Sequence, residues 1–230
     1  MARIGWFVAS VLLLVILFVG YRRMAVVSAA SAAPIPAPAA DDALASAPGR
    51  ATAIFAGGCF WGTQSVFQRV RGVTGTMAGY AGGSAATATY EQVTTEKTGH
   101  AESVEVIYDP SKITYGTLLR IFFSVAHDPT QLNRQGPDVG TSYRSAIFYT
   151  DEHQHKMAAD YIAQLDAARV FHGKIVTQLT PLKGFYDAES YHQDYATKNP
   201  SNPYIQVCDA PKTAALKKQF PELFVPYNGH

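Results

Sequence analysis

Beyond residue 51, apolar and polar residues recur with two different periods, which predict strands in some stretches and helices in others. A short apolar run at 54–56 ends in two glycines, and apolar side chains then recur at helical spacing as far as Val70. This pattern predicts a strand, a tight turn at Cys59 and a helix. Residues 103–108 alternate apolar and polar positions before an Asp-Pro pair, which predicts a second strand.

The second half of the domain continues this mixture of helices and strands. Thr114 is placed to cap one helix, and Thr150 to cap a second helix that ends near Ala168. Stretches 144–149 and 174–182 have the composition of strands. The faces that we expect to be buried carry Leu118, Leu119, Phe122 and Val125 in the first helix, and Met157, Tyr161, Leu165 and Ala168 in the second.

Tyrosine, proline and asparagine become frequent after Phe185, and we expect a long ordered loop there rather than regular structure. Strands and helices are mixed without the repeated strand-helix-strand rhythm of a parallel sheet. The predicted fold class is therefore α+β, with a single mixed sheet and helices packed on it.

The N-terminus has a different character. Residues 4–20 are apolar and uncharged, with arginines on both sides. A bilayer core needs about 20 such residues, whereas the core of a cleavable signal has about 7 to 15, so we predict an uncleaved signal anchor over 1–24 in preference to a cleaved signal peptide. A buried core helix is not expected because the segment has no polar face. Arginines at both ends barely discriminate between the two orientations.

Residues 25–50 are rich in alanine, proline and serine and contain few large apolar side chains. Such a segment cannot offset the entropy of ordering, so we expect a flexible, disordered tether. The folded domain, which is large enough to be an enzyme, then spans 51–230. We expect the chain to be anchored in a bacterial inner membrane with this domain on the periplasmic side.

Composition narrows the classes of function. The 230 residues are 47% hydrophobic, enough to bury a full core, and two cysteines are too few for a disulfide framework. The formal net charge is +1, from 19 basic and 18 acidic residues. Nucleic acid is therefore not an expected partner, because it requires a clustered basic face.

The surroundings of Cys59 favour a reactive thiol over a small buried hydrophobe. At the first turn of a helix, free N–H groups and the helix dipole favour the thiolate by about 0.3 to 1 kcal/mol, which leaves the thiol only partly ionised at neutral pH. Gly57, Gly58 and Gly62 are expected to clear an approach to the sulfur. The following Phe60 and Trp61 side chains are most often core residues, but beside an accessible sulfur they can form a small apolar cage.

Five motifs occur in order along the domain: GCFWG at 58–62, GYAGG at 79–83, TGHAE at 98–102, HDPTQLNRQGPDVGTSYRSAI at 127–147, and YHQDY at 191–195. With these motifs the chain closely resembles peptide methionine sulfoxide reductase, type A, over residues 51–210. The resemblance implies a ferredoxin-like α/β roll as the fold and the reduction of methionine S-sulfoxide, free or in peptides and proteins, as the activity. It also implies a monomer without a bound cofactor.

The resemblance assigns a role to each residue of the site. Cys59 is implied to be the nucleophile, and Phe60 and Trp61 are implied to enclose the S-methyl group. Glu102 corresponds to the acid that protonates the sulfoxide oxygen, which requires a carboxyl kept protonated by burial. Tyr90 and Tyr143 correspond to tyrosines that hydrogen-bond the same oxygen.

Further positions are assigned supporting roles. Asp138 corresponds to an acidic residue that supports the site through hydrogen bonds or water. Histidines 100, 127 and 192 lie within the motifs, and we interpret them as structural hydrogen-bonding residues. His153 and His155 do not share a helix face, so a metal site is not expected.

The reaction would leave Cys59 as a sulfenic acid, which a second thiol converts to a disulfide. Cys208, in NPYIQVCDAPK at 202–212, is the candidate resolving cysteine. Its context differs from the glycine-rich tail that follows KNP in many members of the family. Whether or not Cys208 resolves, a thioredoxin-like donor or another dithiol is implied as the partner.

Two other functions remain open at this point. A cysteine hydrolase would use Cys59, His127 and an acidic partner to form an acyl-enzyme. An anchored binding module for oxidised methionine peptides would show no turnover at all.

Overall fold

Six strands build the main sheet of the computed structural model, which describes residues 35–227. The strands are β1 Ala51–Gly57, β2 Val73–Ala81, β3 Ala101–Tyr108, β6 Ser145–Tyr149, β7 Gln178–Pro181 and β8 Phe185–Asp187. Their order across the sheet is β7-β6-β1-β3-β2-β8, and β6 and β7 pair in parallel while the other neighbours are antiparallel. The sheet is therefore mixed, as predicted. A separate two-stranded ribbon pairs β4 Arg134–Gln135 with β5 Asp138–Val139.

Helices cover this sheet and connect its strands. They are α1 Phe60–Phe67, α2 Tyr90–Val93, α3 Tyr115–Ile121, α4 Glu152–Ala167, α5 Tyr195–Lys198 and α6 Ala210–Gln219. Two π-helical turns extend this set: Phe122–Ala126 follows α3, and Ile205–Asp209 precedes α6. The structure thus confirms the α+β class.

The main core lies between the sheet and the helices. Phe55 of β1 stacks on Phe67 of α1 with ring centroids 5.1 Å apart, and on Phe122 at 4.8 Å. Burial of each such ring contributes roughly 1.5 to 3 kcal/mol relative to an exposed position. This packing fixes where α1 begins relative to β1, and so fixes the turn that carries Cys59.

Most predicted elements are confirmed in the first half of the domain. Cys59 lies between β1 and α1, and β3 covers the alternating stretch. Thr114 caps α3, because its Oγ1 accepts a hydrogen bond from the backbone N–H of Thr117 at 3.1 Å. Strand β2, which pairs with β3 along most of its length, has no counterpart among the predicted elements.

Four expectations in the second half were wrong. Helix α4 is capped by Asp151, not Thr150, because the Asp151 side chain accepts from the backbone N–H of Gln154. Ala168 is exposed, since the helix ends one residue earlier. The strand expected at 174–182 is confined to β7. The region after Phe185 contains β8, α5 and α6 rather than a loop.

The tether expected over 25–50 is not free of contacts where the structure describes it. Residues 35–50 lie along the domain: Ile35 is buried in its core, and the Ile35 carbonyl accepts a hydrogen bond from Arg120 Nε at 2.8 Å. Tyr161 Oη donates to the Pro36 carbonyl at 2.7 Å, and Asp41 accepts from Thr114 Oγ1 at 2.6 Å. We name residues 35–50 the strap. Donors on α3 and α4 order it despite its composition.

The predicted anchor at 4–20 lies outside the described residues. Between residues 35 and 227, no helix is long and apolar enough to cross a membrane.

Candidate active site

Cys59 occupies the residue before the first turn of α1, at the point where β1 turns out of the sheet. Its side chain is 7% exposed and is a free thiol. Gly58, which has a φ of +84°, makes the tight turn possible, because a left-handed backbone is strained for other residues. The predicted strand-turn-helix therefore presents a thiol at the start of a helix.

The glycines around Cys59 allow neighbouring side chains to pack closely on the turn and do not leave an open approach for a ligand. A Cβ at Gly57 would lie 3.1 Å from Phe122, and a Cβ at Gly58 would lie 2.4 Å from Gln135. At Gly62 it would lie 2.1 Å from Asp209 Oδ1. Our expectation for these glycines was wrong, because the side chains of other elements pack directly on the turn.

Glu102 lies on β3 beside this turn and is 3% exposed. Its Oε2 accepts a hydrogen bond of 3.0 Å from the backbone N–H of Phe60, the first residue of α1. Burial, with a smaller contribution from the charge of Asp138, raises the pKa of Glu102 to about 8, although the Phe60 N–H acts against this. At neutral pH the carboxyl group is thus mostly protonated and can donate a proton.

The thiol of Cys59 is neutral in this arrangement. Burial raises its pKa well above the usual value, and the charges of Glu102 and Asp209 raise it further. The backbone N–H of Trp61 and the charge of Lys212 act in the opposite direction without outweighing burial. The expected partial ionisation by the helix dipole is therefore wrong for the site without substrate.

Tyr90 and Tyr143 approach the same site from different elements. Tyr90 begins α2, and Tyr143 ends the short 3-10 turn Thr141–Tyr143 before β6. Burial raises the pKa of both phenols, and the charges of Glu102 and Cys59 contribute to both shifts. Both phenols are therefore neutral hydrogen-bond donors near the thiol and the carboxyl group.

Aromatic rings form a wall next to the sulfur. Phe60 is buried, with its ring 5.0 Å from that of His192. Trp61 is half-buried, stacks on Tyr195 at a centroid distance of 3.8 Å, and meets Tyr204 edge-on at 6.0 Å. The Trp61 Nε1–H donates to His192 Nδ1 at 3.1 Å, which fixes the indole. The wall offers an apolar surface beside Cys59.

Asp138 lies on the ribbon strand β5 and accepts a hydrogen bond from Tyr204 Oη at 2.5 Å. Its charge raises the pKa of Glu102, Tyr90 and Tyr143, which places it at the edge of the same site. Asp138 therefore connects the ribbon to the aromatic wall.

Cys208 belongs to a segment that packs on α1. We name residues 204–212 the C-terminal segment; it comprises Tyr204, the π-helical turn Ile205–Asp209 and the first residues of α6. Cys208 is half-buried and is a free thiol, and burial together with the charge of Asp209 raises its pKa. The structure thus brings the second cysteine onto an element that contacts the helix of the first.

The three motif histidines make hydrogen bonds inside the fold. His100 bonds to the Gly83 N–H, and His127 bonds to the Phe122 carbonyl at 3.1 Å and to Ser145 Oγ at 2.7 Å. Burial lowers the pKa of His127 to about 3. His127 therefore has no nitrogen left to activate Cys59, so the geometry does not support a cysteine hydrolase.

The two histidines at 153 and 155 bond to carboxylates at the surface. His153 bonds to Asp42 of the strap at 2.9 Å, and His155 to Glu152 at 3.2 Å. Within residues 35–227 no group of three His, Cys, Asp or Glu side chains could hold a metal ion.

Sequence reasoning missed several residues of the site. Tyr195 lies in the motif at 191–195, but no sequence pattern indicates that its ring stacks on Trp61. Tyr204, Asp209 and Lys212 lie close to Cys208 in the sequence, and nothing in their spacing indicates that they reach α1. Glu189 binds the Tyr90 N–H at 2.9 Å and accepts from Tyr80 Oη at 2.9 Å, so it positions α2.

Known proteins are similar to this chain in both sequence and fold. The family described as Peptide methionine sulfoxide reductase matches residues 51–223. A peptide methionine sulfoxide reductase MsrA 2 of Mesorhizobium japonicum is 58% identical over 179 residues, which cover 78% of this chain and 92% of that protein. A protein of the same name from Synechocystis is 49% identical, covering 81% of this chain and 88% of that protein.

Solved structures agree. Methionine sulfoxide reductase A of Corynebacterium diphtheriae superposes with a TM-score of 0.59 at 38% identity, covering 74% of this chain and 84% of that chain. Mxr1 from Saccharomyces cerevisiae in reduced form gives a TM-score of 0.61 at 32% identity, covering 72% of this chain and 97% of that one. These matches span the fold and the site, and the chain therefore belongs to the peptide methionine sulfoxide reductase family, type A, as an enzyme that reduces oxidised methionine.

Proposed function

We propose that Cys59 is the nucleophile and Glu102 the acid in the reduction of methionine S-sulfoxide. The observation that carries this proposal is the buried Glu102 carboxyl beside the thiol, with its pKa raised to about 8. A protonated carboxyl is the group that an oxygen leaving sulfur requires. Tyr90 and Tyr143 donate further hydrogen bonds to that oxygen, because both phenols stay neutral.

The step conserves atoms and electrons. The Cys59 sulfur attacks the sulfoxide sulfur, Glu102 gives its proton to the oxygen, and the thiol proton of Cys59 replaces it on the carboxyl. The attack forms a sulfur–sulfur bond. This bond and the sulfur–oxygen bond of the substrate then break as the oxygen, with its proton, moves to the Cys59 sulfur. Methionine is thereby reduced, and Cys59 is oxidised to a sulfenic acid.

Phe60 and Trp61 hold the methyl group of the substrate. Trp61 is fixed by the His192 hydrogen bond and by the ring of Tyr195, so it presents a rigid apolar surface next to the sulfur. Asp138 supports the site through the Tyr204 hydroxyl and raises the pKa of Glu102, which favours its protonated form.

Cys208 resolves the sulfenic acid. Its thiol attacks the Cys59 sulfur, a disulfide forms, and the oxygen leaves as water with the thiol proton and the proton of the sulfenic acid. A thioredoxin-like dithiol then reduces the disulfide by thiol exchange. The packing of the C-terminal segment on α1 supports this assignment.

Turnover of a methionine sulfoxide peptide with a dithiol reductant tests the assignment of Cys59. Wild-type protein should release methionine continuously, and Cys59→Ser should release none. The matched control is Ser65→Ala on the same helix, which should keep most of the activity. Equal turnover by Cys59→Ser and wild type would remove Cys59 from the mechanism, and no turnover by either would indicate a binding module.

We also propose that residues 4–20 anchor the enzyme in a bacterial inner membrane with the catalytic domain in the periplasm. The uncharged apolar run between arginines supports this. Protease added to intact spheroplasts should digest the domain, and full protection of the domain there would contradict the proposed orientation.

A further inference from the structure

An ion pair packs against α1, the helix that follows Cys59, and has no role in the reaction steps proposed above. Asp209 is 1% exposed, and its Oδ1 is 3.5 Å from Nζ of Lys212, whose side chain is also largely buried. Both residues belong to the C-terminal segment, and Asp209 directly follows Cys208.

The pair rests on the first turn of α1. A Cβ at Gly62 would lie 2.1 Å from Asp209 Oδ1 and 2.7 Å from Lys212 Nζ. Gly62 is three residues beyond Cys59 and is the last residue of the motif at 58–62. Any side chain at this position would displace the pair, so the glycine admits two charges to the neighbourhood of the sulfur.

The arrangement is poor as a device for stability. Apart from the ion pair with Lys212, no residue between 35 and 227 donates a hydrogen bond to either carboxylate oxygen of Asp209, although both oxygens are buried. Asp209 also precedes α6 without capping it, whereas an aspartate at this position commonly accepts from the helix N–H groups. Buried ion pairs with such incomplete hydrogen bonding seldom stabilise a fold, and buried polar groups of this kind concentrate at functional sites.

We propose that Asp209 and Lys212 are a positioning pair that sets the charge of the Cys59 sulfur. The two charges act in opposite directions: the pKa of Cys59 is raised by Asp209 and lowered by Lys212. Asp209 thus adds to the effect of burial in keeping the thiol neutral before substrate arrives, and Lys212 opposes this effect so that ionisation remains attainable during attack. The inference rests on the proposed role of Cys59.

Other groups also face the sulfur, and they must be held constant in a test. The titratable side chains whose charges interact with Cys59 come from β3, α2, the turn before β6 and the C-terminal segment, namely Glu102, Tyr90, Tyr143, Tyr204, Asp209 and Lys212. Lys212 is the cation among them.

The experiment measures ionisation of Cys59 without substrate. In a Cys208→Ser background, the rate of alkylation by iodoacetamide is followed across pH, and its midpoint reports the thiol. Asp209→Asn should move the midpoint to lower pH and Lys212→Met to higher pH. At a fixed pH below the midpoint this corresponds to alkylation roughly three- to tenfold faster and slower, respectively. Lys212→Arg, which keeps the charge, should stay near the parent.

The proposal would be overturned if both variants shifted the alkylation midpoint in the same direction, or if neither shifted it. A pair with a merely structural role would give the same disturbance of the site whichever partner is replaced. If Asp209→Asn does not fold, the contrast between Lys212→Met and Lys212→Arg decides alone: equal midpoints would overturn the proposal. Since no sulfoxide is present, the result is separate from any failure of the proposed reduction.

Discussion

The two cysteines lie in regions built in different ways. Cys59 is held at the junction of a central strand and the helix that follows it, where Phe60 N–H and Glu102 are 3.0 Å apart. Cys208 is held in a π-helical turn, whose residue Val207 is 75% exposed and whose residue Asp209 is buried without hydrogen bonds from the described chain apart from its ion pair with Lys212. The first region is rigid through its packing, and the second combines exposure with an incompletely satisfied interior.

This difference matches the two halves of the proposed reaction, oxygen transfer to Cys59 and resolution by Cys208. Oxygen transfer needs groups fixed to fractions of an ångström, and strands and helices of the core provide that precision. Resolution requires one thiol to reach another, and a short π-helical turn that is exposed at Val207 and carries a buried carboxylate without full hydrogen bonding is a suitable carrier. We therefore expect changes near Cys59 to affect reduction and changes near Cys208 to affect recycling.

The largest effect should follow from Glu102→Gln. The amide cannot supply the proton, so the single-turnover rate of reduction should fall about 10²- to 10⁴-fold while substrate affinity changes little. Stopped-flow measurement of fully reduced enzyme with a methionine sulfoxide peptide checks this. Glu105→Gln, on the same strand but partly solvated, is the matched control and should stay near wild type. An unchanged rate for Glu102→Gln at neutral pH would refute the acid assignment.

Cys208→Ser should separate the two halves. The variant should complete one stoichiometric turnover at the wild-type rate, because Cys59 and Glu102 are untouched, but recycling by thioredoxin should slow by about tenfold or more, since no thiol in the same chain resolves the sulfenic acid. Steady-state and single-turnover assays measure the two rates. Val207→Ser, in the same turn, is the control. Unaltered recycling by Cys208→Ser would show that another thiol resolves Cys59.

The pH dependence of the first half follows from the raised pKa of Glu102. A proton that must be donated is present below pH about 8 and is lost above it, so the single-turnover rate should decline by about tenfold per pH unit on the alkaline side. In Glu102→Gln this alkaline decline of the single-turnover rate should be absent. A wild-type rate that rises steadily from pH 8 to 9 would contradict proton donation by Glu102.

The smallest effect should follow from Tyr143→Phe. One of two phenols is lost while the other still donates, and a single hydrogen bond has a net value of about 0.5 to 1.5 kcal/mol, so reduction should slow roughly two- to tenfold. Tyr149→Phe, whose ring stacks on His155 away from the site, is the control. Recycling should not change in either variant. A selective loss of recycling in Tyr143→Phe would contradict the assignment of reduction to the Cys59 region and of recycling to the Cys208 region.

The sequence predicted the Cys59 region far better than the C-terminal segment. The period of apolar residues is a local signal, and it sufficed for β1, α1 and the position of Cys59 between them. The burial of Glu102 depends on helix packing across the sheet, so its acid role came from resemblance alone. Nothing local could show that Asp209 packs on Gly62, because that contact joins residues far apart in the chain.

The strap is a second region whose structure the sequence did not predict, because its composition indicates disorder and the structure shows it held on the domain. Its alanines and prolines bury little apolar surface, which correctly indicates that it cannot form a core of its own. Its carbonyls nevertheless accept hydrogen bonds from Arg120 and Tyr161, and these donors lie on helices distant in sequence. Composition therefore described the segment but not the surface on which it lies.

The most direct test of the account is the mass of Cys59 after a single turnover. Fully reduced Cys208→Ser protein, freed of reductant, is mixed with one equivalent of methionine sulfoxide peptide and digested. The peptide containing Cys59 should gain one oxygen atom, and added dimedone should convert that sulfenic acid to its adduct. Wild-type protein should instead lose two hydrogens as Cys59 and Cys208 join. Methionine formed with no oxygen on Cys59, or an acyl adduct at Cys59, would contradict the account.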